Sequence, residues 1–245
     1  MWAFLKPNII WGQLNNEYHD ILQRVKGGST ILDMGCALAQ DLRRLAADGA
    51  PTENMFATGQ SLIHVRYIHF LTCPDLTREY WDLSFELFQD RTKMKAKFYC
   101  DDIFNSESNL LRDLSGKIDI MISGDFLHLF DWDGQVEAAS RMVQLGRPQA
   151  GTTVIGKQYG RNKPGPFATT FSPQGSMYAH NEETFAQLWK EVGERTQTRW
   201  NVRTRTAILG EGGMWAPKED FAWMGEETTG LQFVVTREDM PKFTS

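Results

Sequence analysis

An α/β fold built on a parallel sheet is predicted by three observations in this sequence. Residues 30–45, TILDMGCALAQDLRRL, pass from a short apolar run through a glycine turn straight into a helical pattern. Similar apolar runs near 55–58, 97–100, 118–123 and 152–158 interleave with helix-period segments near 38–47, 80–90, 133–144 and 181–194. Such alternation folds as a parallel sheet with right-handed crossovers. Finally, residues 200–208 alternate polar with apolar and 231–236 are rich in β-formers, which predicts a closing antiparallel hairpin.

The first of these elements carries chemistry. The run ends in Asp33, turns through Gly35 and enters a helix, at the strand end where open α/β sheets bind ligands. Gly35 tolerates backbone angles closed to other residues and lets a ligand lie against the main chain. The pattern Asp-x-Gly-x-Ala-x-Ala lacks the three glycines of a dinucleotide fingerprint, and no lysine follows as in a P-loop. A pyrophosphate ligand is therefore disfavoured. S-adenosylmethionine, with no phosphate and a cationic amino-acid tail that Asp33 would answer, suits the motif better. A plain strand, turn and helix with a turn-stabilising Asp33 is the competing reading.

Length and composition narrow the rest. A chain of 245 residues fits one α/β domain with a full core. Its 23% charged and 41% hydrophobic residues are ordinary for a globular protein, and a net charge of −5 argues against a nucleic-acid partner. No apolar run nears the roughly 20 residues of a membrane span, and no signal-peptide pattern opens the chain. Cys36, Cys73 and Cys100 form no metal-ligand spacing, and no metal is expected. A reduced, cytoplasmic protein is the expectation. Residues 1–27 read as an N-terminal helical segment, amphipathic over 17–26, ahead of a main domain at 28–245.

Six stretches resemble one family: ILDMGCALAQDLRRLAADGAP (31–51), DLTREYWDLSFELFQDR (75–91), FYCDDIF (98–104), KIDIMISGDFLHLFDWDGQ (117–135), GTTVIGKQYG (151–160) and MYAHNEETFAQLWKEVGE (177–194). In this order they resemble class I S-adenosylmethionine-dependent methyltransferases, specifically those of fungal secondary-metabolite and meroterpenoid clusters. The resemblance implies a Rossmann-like, mostly parallel seven-stranded sheet with helices on both faces and a C-terminal antiparallel hairpin. It also implies a longer helical lid before the core, so the chain is either truncated or has a reduced lid.

The resemblance assigns roles to residues. Asp33 and Gly35 would meet the methionine part of the cofactor, and Ser123 would lie beside it. Asp102 with Ile103 would meet adenine, Asp101 being the near alternative. His128, after the fourth strand, would act as base toward a hydroxyl acceptor or would orient a carboxylate; a histidine packed under the next helix is the plain alternative. His180 is a second candidate base, while Asn181 with Thr184 or Glu183, and Asp131 or Asp133, read as helix caps. Phe126, Lys157 and Tyr178 would face substrate, with Gln158 and Tyr159 leaving the fifth strand in the same direction. The loop over 160–175, with three prolines, resembles a substrate-side lid, and 210–230 reads as a long loop. Trp2, Trp11, Trp215 and Trp223 are candidates for an apolar cavity or for core.

One segment interrupts the family pattern. The second strand should end in an acid for the ribose diol, yet residues 59–74 intervene before Asp75 and Leu76. Removing them gives Met-Phe-Ala-Thr-Asp-Leu, a strand with its acid in place. Sixteen codons are 48 nucleotides, a multiple of three and the length of a short fungal intron. The expectation is a translated, unspliced intron or an insertion that began as one; a functional loop, with His64 and His69 as a weak metal pair, is the alternative. The implied activity is O-methylation of a small apolar fungal metabolite at a carboxylate or hydroxyl. A methyltransferase-like fold serving as cyclase, pericyclase or inactive partner is the alternative, and a homodimer is left open.

Overall fold

The computed structural model describes residues 15–59, 78–169, 172, 175–209 and 227–239. Five strands pair in parallel: β1 (Ile31–Met34), β2 (Met55–Gly59), β3 (Lys97–Cys100), β4 (Ile120–Gly124) and β5 (Thr153–Arg161). A short antiparallel hairpin follows, β6 (Gly165–Ala168) with β7 (Ser176–Ala179), and then β8 (Trp200–Ala207) and β9 (Thr228–Arg237). The main sheet has seven strands in the order β3-β2-β1-β4-β5-β9-β8, with β9 antiparallel to both its neighbours. This is the class I methyltransferase architecture, and the hairpin expected from residues 200–208 and 231–236 is β8 with β9.

Helices cover both faces because the short buried strands β1, β2 and β4 carry apolar side chains both ways. On one face α1 (Asn15–Lys26), α2 (Gln40–Ala47) and α3 (Arg78–Phe88) bury Ile21, Leu42 and Trp81 over Ile31, Met55, Ile120 and Ile155. On the other, α4 (Asn109–Leu114), α5 (Trp132–Leu145) and α6 (Glu182–Thr196) bury Leu111, Met142 and Phe185 over Leu32, Met121, Val154 and Phe233. Full burial of a side chain such as Phe185 is worth about 2–3 kcal/mol. Thus Ile31 and Leu32, adjacent in sequence, belong to two different cores.

Local chemistry sets the helix starts. Asp131 accepts from Gly134 N–H at 2.9 Å to cap α5, so of the two candidate aspartates it is the first that caps. Asn181 and Thr184 form a reciprocal capping box at α6. Ser108 caps α4, a short helix the periodicity had not signalled. The loop expected over 160–175 is corrected by the structure: β5 continues to Arg161, and β6 pairs with β7 across much of the remainder. The N-terminal residues 1–14, the segment 60–77, and 210–226 lie outside the described residues, and with them Trp2, Trp11, His64, His69, Cys73, Asp75, Leu76, Trp215 and Trp223. Among the described residues no helix is long and apolar enough to cross a membrane.

Candidate functional site

Parallel strands point all their carboxyl ends to one edge, and the candidate residues collect there. At the end of β1, Asp33 is only 4% exposed and Gly35 takes φ 66°. A Cβ built on Gly35 would sit 3.2 Å from the Phe126 ring, so this backbone stays bare for steric as well as conformational reasons. Phe126 thereby backs the glycine turn, and its ring meets Phe130 edge-on at 5.5 Å. Two further left-handed residues follow, Ala37 (φ 48°) and Ala39 (φ 51°). For a residue with a Cβ that conformation costs roughly 1–2 kcal/mol. The turn that leads into α2 is therefore strained, and it is the stretch a cofactor tail would meet.

Beyond β3, the two acids divide. Asp101 accepts from Leu110 N–H at 3.0 Å, tying its carboxylate to the start of α4. Asp102 accepts from Phe104 N–H at 2.9 Å, folding the loop so that Ile103 buries its side chain in the core. Of the pair, Asp102 is the one not committed to a helix start.

The ends of β4 and β5 carry an unusual concentration of buried polar atoms. Among the described residues, eight buried side-chain N or O atoms have no hydrogen-bond partner, and six belong to Ser123, Asp125, His128, Gln158 and Arg161. Buried polar groups are normally paired, so these atoms are candidates for pairing with water or with a ligand. Asp125, at φ 52°, ion-pairs with the 3% exposed Lys157 at 2.5 Å and donates its N–H to Lys157 O at 2.7 Å. His128 sits edge-on to Tyr159 at 5.3 Å, and its Nδ1 is one of the unpaired atoms. Burial, partly offset by Asp125 and reinforced by Lys157, pulls its pKa down to about 4.

His180 lies elsewhere in character. It is fully buried, with Nδ1 3.1 Å from Thr184 Oγ1 and Nε2 3.1 Å from Gln135 Oε1. Gln135 spends its N–H groups on Phe130 O and Tyr178 O, so its oxygen is the acceptor and His180 Nε2 the donor. Burial lowers the His180 pKa to about 3. The ring is a structural tie between α5, β7 and α6, and no ring nitrogen is left for a proton transfer. Tyr178, ahead of it on β7, packs against Trp132 at 4.9 Å.

Gln158 was legible only as a residue leaving the fifth strand. In the fold it is 0% exposed with neither amide atom partnered. Exchanging an unpaired buried amide for an isosteric apolar group relieves about 1–3 kcal/mol of desolvation. Gln158→Leu is therefore expected to raise Tm by about 2–8 °C, read in a thermal melt; a lower Tm would mean that the amide is satisfied in solution.

No protein-family model matches the chain. Curated relatives do. It is 38% identical over 195 residues to the O-methyltransferase phiE of a fungal species, covering 77% of this chain and 57% of phiE. To the O-methyltransferase atr3 of Stereocaulon alpinum it is 34% identical, covering 91% of this chain and 58% of that protein. The methyltransferase adrK of Penicillium rubens is 32% identical, over 76% of this chain and 61% of its own length. Over three quarters or more of its length the chain is similar to these fungal methyltransferases. It spans about three fifths of the length of these methyltransferases.

Solved structures share the methyltransferase fold at low identity. The (4+2)-cyclase SpnF superposes with a TM-score of 0.59 at 11% identity, over 94% of this chain and 83% of that one. The 1,6-didemethyltoxoflavin-N1-methyltransferase of Burkholderia thailandensis, solved with S-adenosylhomocysteine, gives 0.56 at 13% identity, over 91% and 77%.

Proposed function

We propose that this chain is an S-adenosylmethionine-dependent O-methyltransferase acting on a small apolar fungal metabolite, with a carboxylate as the acceptor. The observation that supports it best is the gathering of Asp33, Gly35, Asp102 and Ser123 along one carboxyl edge, in a chain whose relatives are methyltransferases. The bare Gly35 backbone and the unpaired Ser123 Oγ suit the tail of that cofactor.

S-adenosylmethionine supplies, when bound, an electrophilic methyl group on a sulfonium centre. Asp33 would answer its cationic tail, and Asp102 with the Ile103 N–H its adenine. Asp101 takes the structural role in that loop. By the family resemblance Asp75, with Leu76 beside it, would be the acid for the ribose diol. Lys157, Phe126 and Tyr178 would border the acceptor.

His128 supports the choice of a carboxylate acceptor. With its pKa near 4, this imidazole is neutral at physiological pH and a weak base toward a hydroxyl group. A carboxylate arrives already ionised and needs no proton removed. The neutral ring then donates an N–H to it and fixes its direction, the geometric demand that dominates a methyl transfer. No contact among the described residues favours a cyclase or an inactive partner over this reading. A cytoplasmic location and action without a membrane partner belong to it.

Calorimetric titration with S-adenosylhomocysteine tests the cofactor, and absence of heat sinks the reading. Incubation with S-adenosylmethionine and aromatic carboxylic acids is expected to add one methyl group, removable by mild alkali as an ester should be. An alkali-resistant product would move the acceptor to a hydroxyl.

A further inference from the structure

Arg43 lies on α2, in the stretch that the helical pattern presents as an ordinary amphipathic surface, yet it is only 8% exposed. Its guanidinium joins the turn of the candidate cofactor site to α3 and to the residues just past it. Nη1 donates to Leu38 O, the carbonyl that lies between the left-handed Ala37 and Ala39. Nη2 donates to Ser84 Oγ on α3 at 2.9 Å, and Ser84 Oγ–H in turn donates to Trp81 O at 2.7 Å. Nε and Nη2 grip the Asp90 carboxylate at 2.7 and 3.2 Å, just past the end of α3. The rings of Phe88, Phe85 and Trp81 surround the cation at 4.6, 5.4 and 5.9 Å.

These contacts use the planar fork of an arginine, which an ammonium cannot reproduce. They are also directed at the strained part of the molecule. Ala37 and Ala39 hold a conformation that L-residues avoid, and such a conformation persists only when its surroundings over-determine it. The carbonyl between them is fixed from outside the loop by Arg43. The other end of the grip is α3 at Ser84, together with Asp90 just past the helix end.

We propose that Arg43 is a positioning residue for the cofactor site, holding the Gly35–Ala39 turn in its binding conformation and coupling that turn to α3. The inference rests on the cofactor reading above, but the clamp itself is measurable without any cofactor. Arg43→Lys keeps the charge and removes the fork. In the unliganded protein it is expected to speed amide hydrogen exchange at residues 36–40 at least tenfold relative to the sheet strands. In calorimetry it is expected to weaken S-adenosylhomocysteine binding about tenfold. Val192→Ala, which opens a small cavity under α6 on the opposite face, serves as a comparator that lowers Tm without touching the turn.

Unchanged exchange at 36–40 in Arg43→Lys overturns the proposal, whatever the cofactor. Faster exchange with wild-type affinity for S-adenosylhomocysteine also overturns it, because the turn would then be loosened without consequence for binding. Equal weakening by Val192→Ala would reduce Arg43 to general stability. If wild type itself fails to bind while exchange at the turn still responds, the clamp stands and the cofactor reading falls. Arg43→Gln provides the second variant should Arg43→Lys fold poorly.

Discussion

Lowering the pH from 7 to 5 is expected to remove about 4 kcal/mol of folding stability, on the order of 10 °C in Tm. The cause is the pair of histidines held neutral by burial. In the unfolded chain each titrates near 6.5. In the folded protein His128 titrates at about 4 and His180 at about 3. Between these limits the unfolded state binds more protons than the folded one, so stability is complete above 6.5 and is lost as the pH falls. At pH 5 the loss is about 2 kcal/mol for each residue. Asp125 and Lys157 oppose each other beside His128, while the His180 ring meets the uncharged Gln135 and Thr184 and packs against Trp132, Tyr178 and Phe185. His128→Gln is expected to halve the slope of stability against pH in denaturant titrations. A Tm that stays flat from pH 7 to 5 would mean that both rings are hydrated.

Deleting residues 59–74 is expected to tighten S-adenosylhomocysteine binding at least tenfold. β2 runs to Gly59, which pairs with Cys100 of β3, and Gly59 O accepts from Asp101 N–H at 3.2 Å. The deletion puts Asp75 at the position of Gly59 in that register, one step along the edge from Asp33 and beside the loop of Asp102. Two carboxylate oxygens then face the diol of a nucleoside, whose hydroxyls would otherwise lack acceptors at a cost of about 1–3 kcal/mol. Calorimetry on the two forms decides it, alongside sequencing of the transcript. Equal affinities would mean that the segment is a functional loop and that the ribose is met without the deletion.

The sheet was legible because its strands are short apolar runs ended by Asp or Gly, and because their alternation with helices leaves few topologies. The hairpin of β6 and β7 was not, since Pro164, Gly165 and Pro166 read locally as loop, and only pairing with residues 176–179 makes that stretch a strand. Helix α4 is six residues long, too short for a period to declare itself. In the site, Asp33 and Gly35 stand out because a turn needs those residue types at that spacing. His180 and Arg43 do not, because burial and partners decide their roles. Nothing local distinguishes a histidine tied to Gln135 from one facing substrate, or a clamped arginine from a solvated one.

The strand order has a consequence for synthesis. β9 lies between β5 and β8, although β8 is made before it. Until residue 228 and those after it have left the ribosome, β8 has no hydrogen-bonding neighbour, and β5 offers an open edge beyond β4. A nascent chain therefore holds β8 apart from the five parallel strands until the strand that joins them arrives, and a stop codon upstream of Thr228 would leave β8 permanently unpaired.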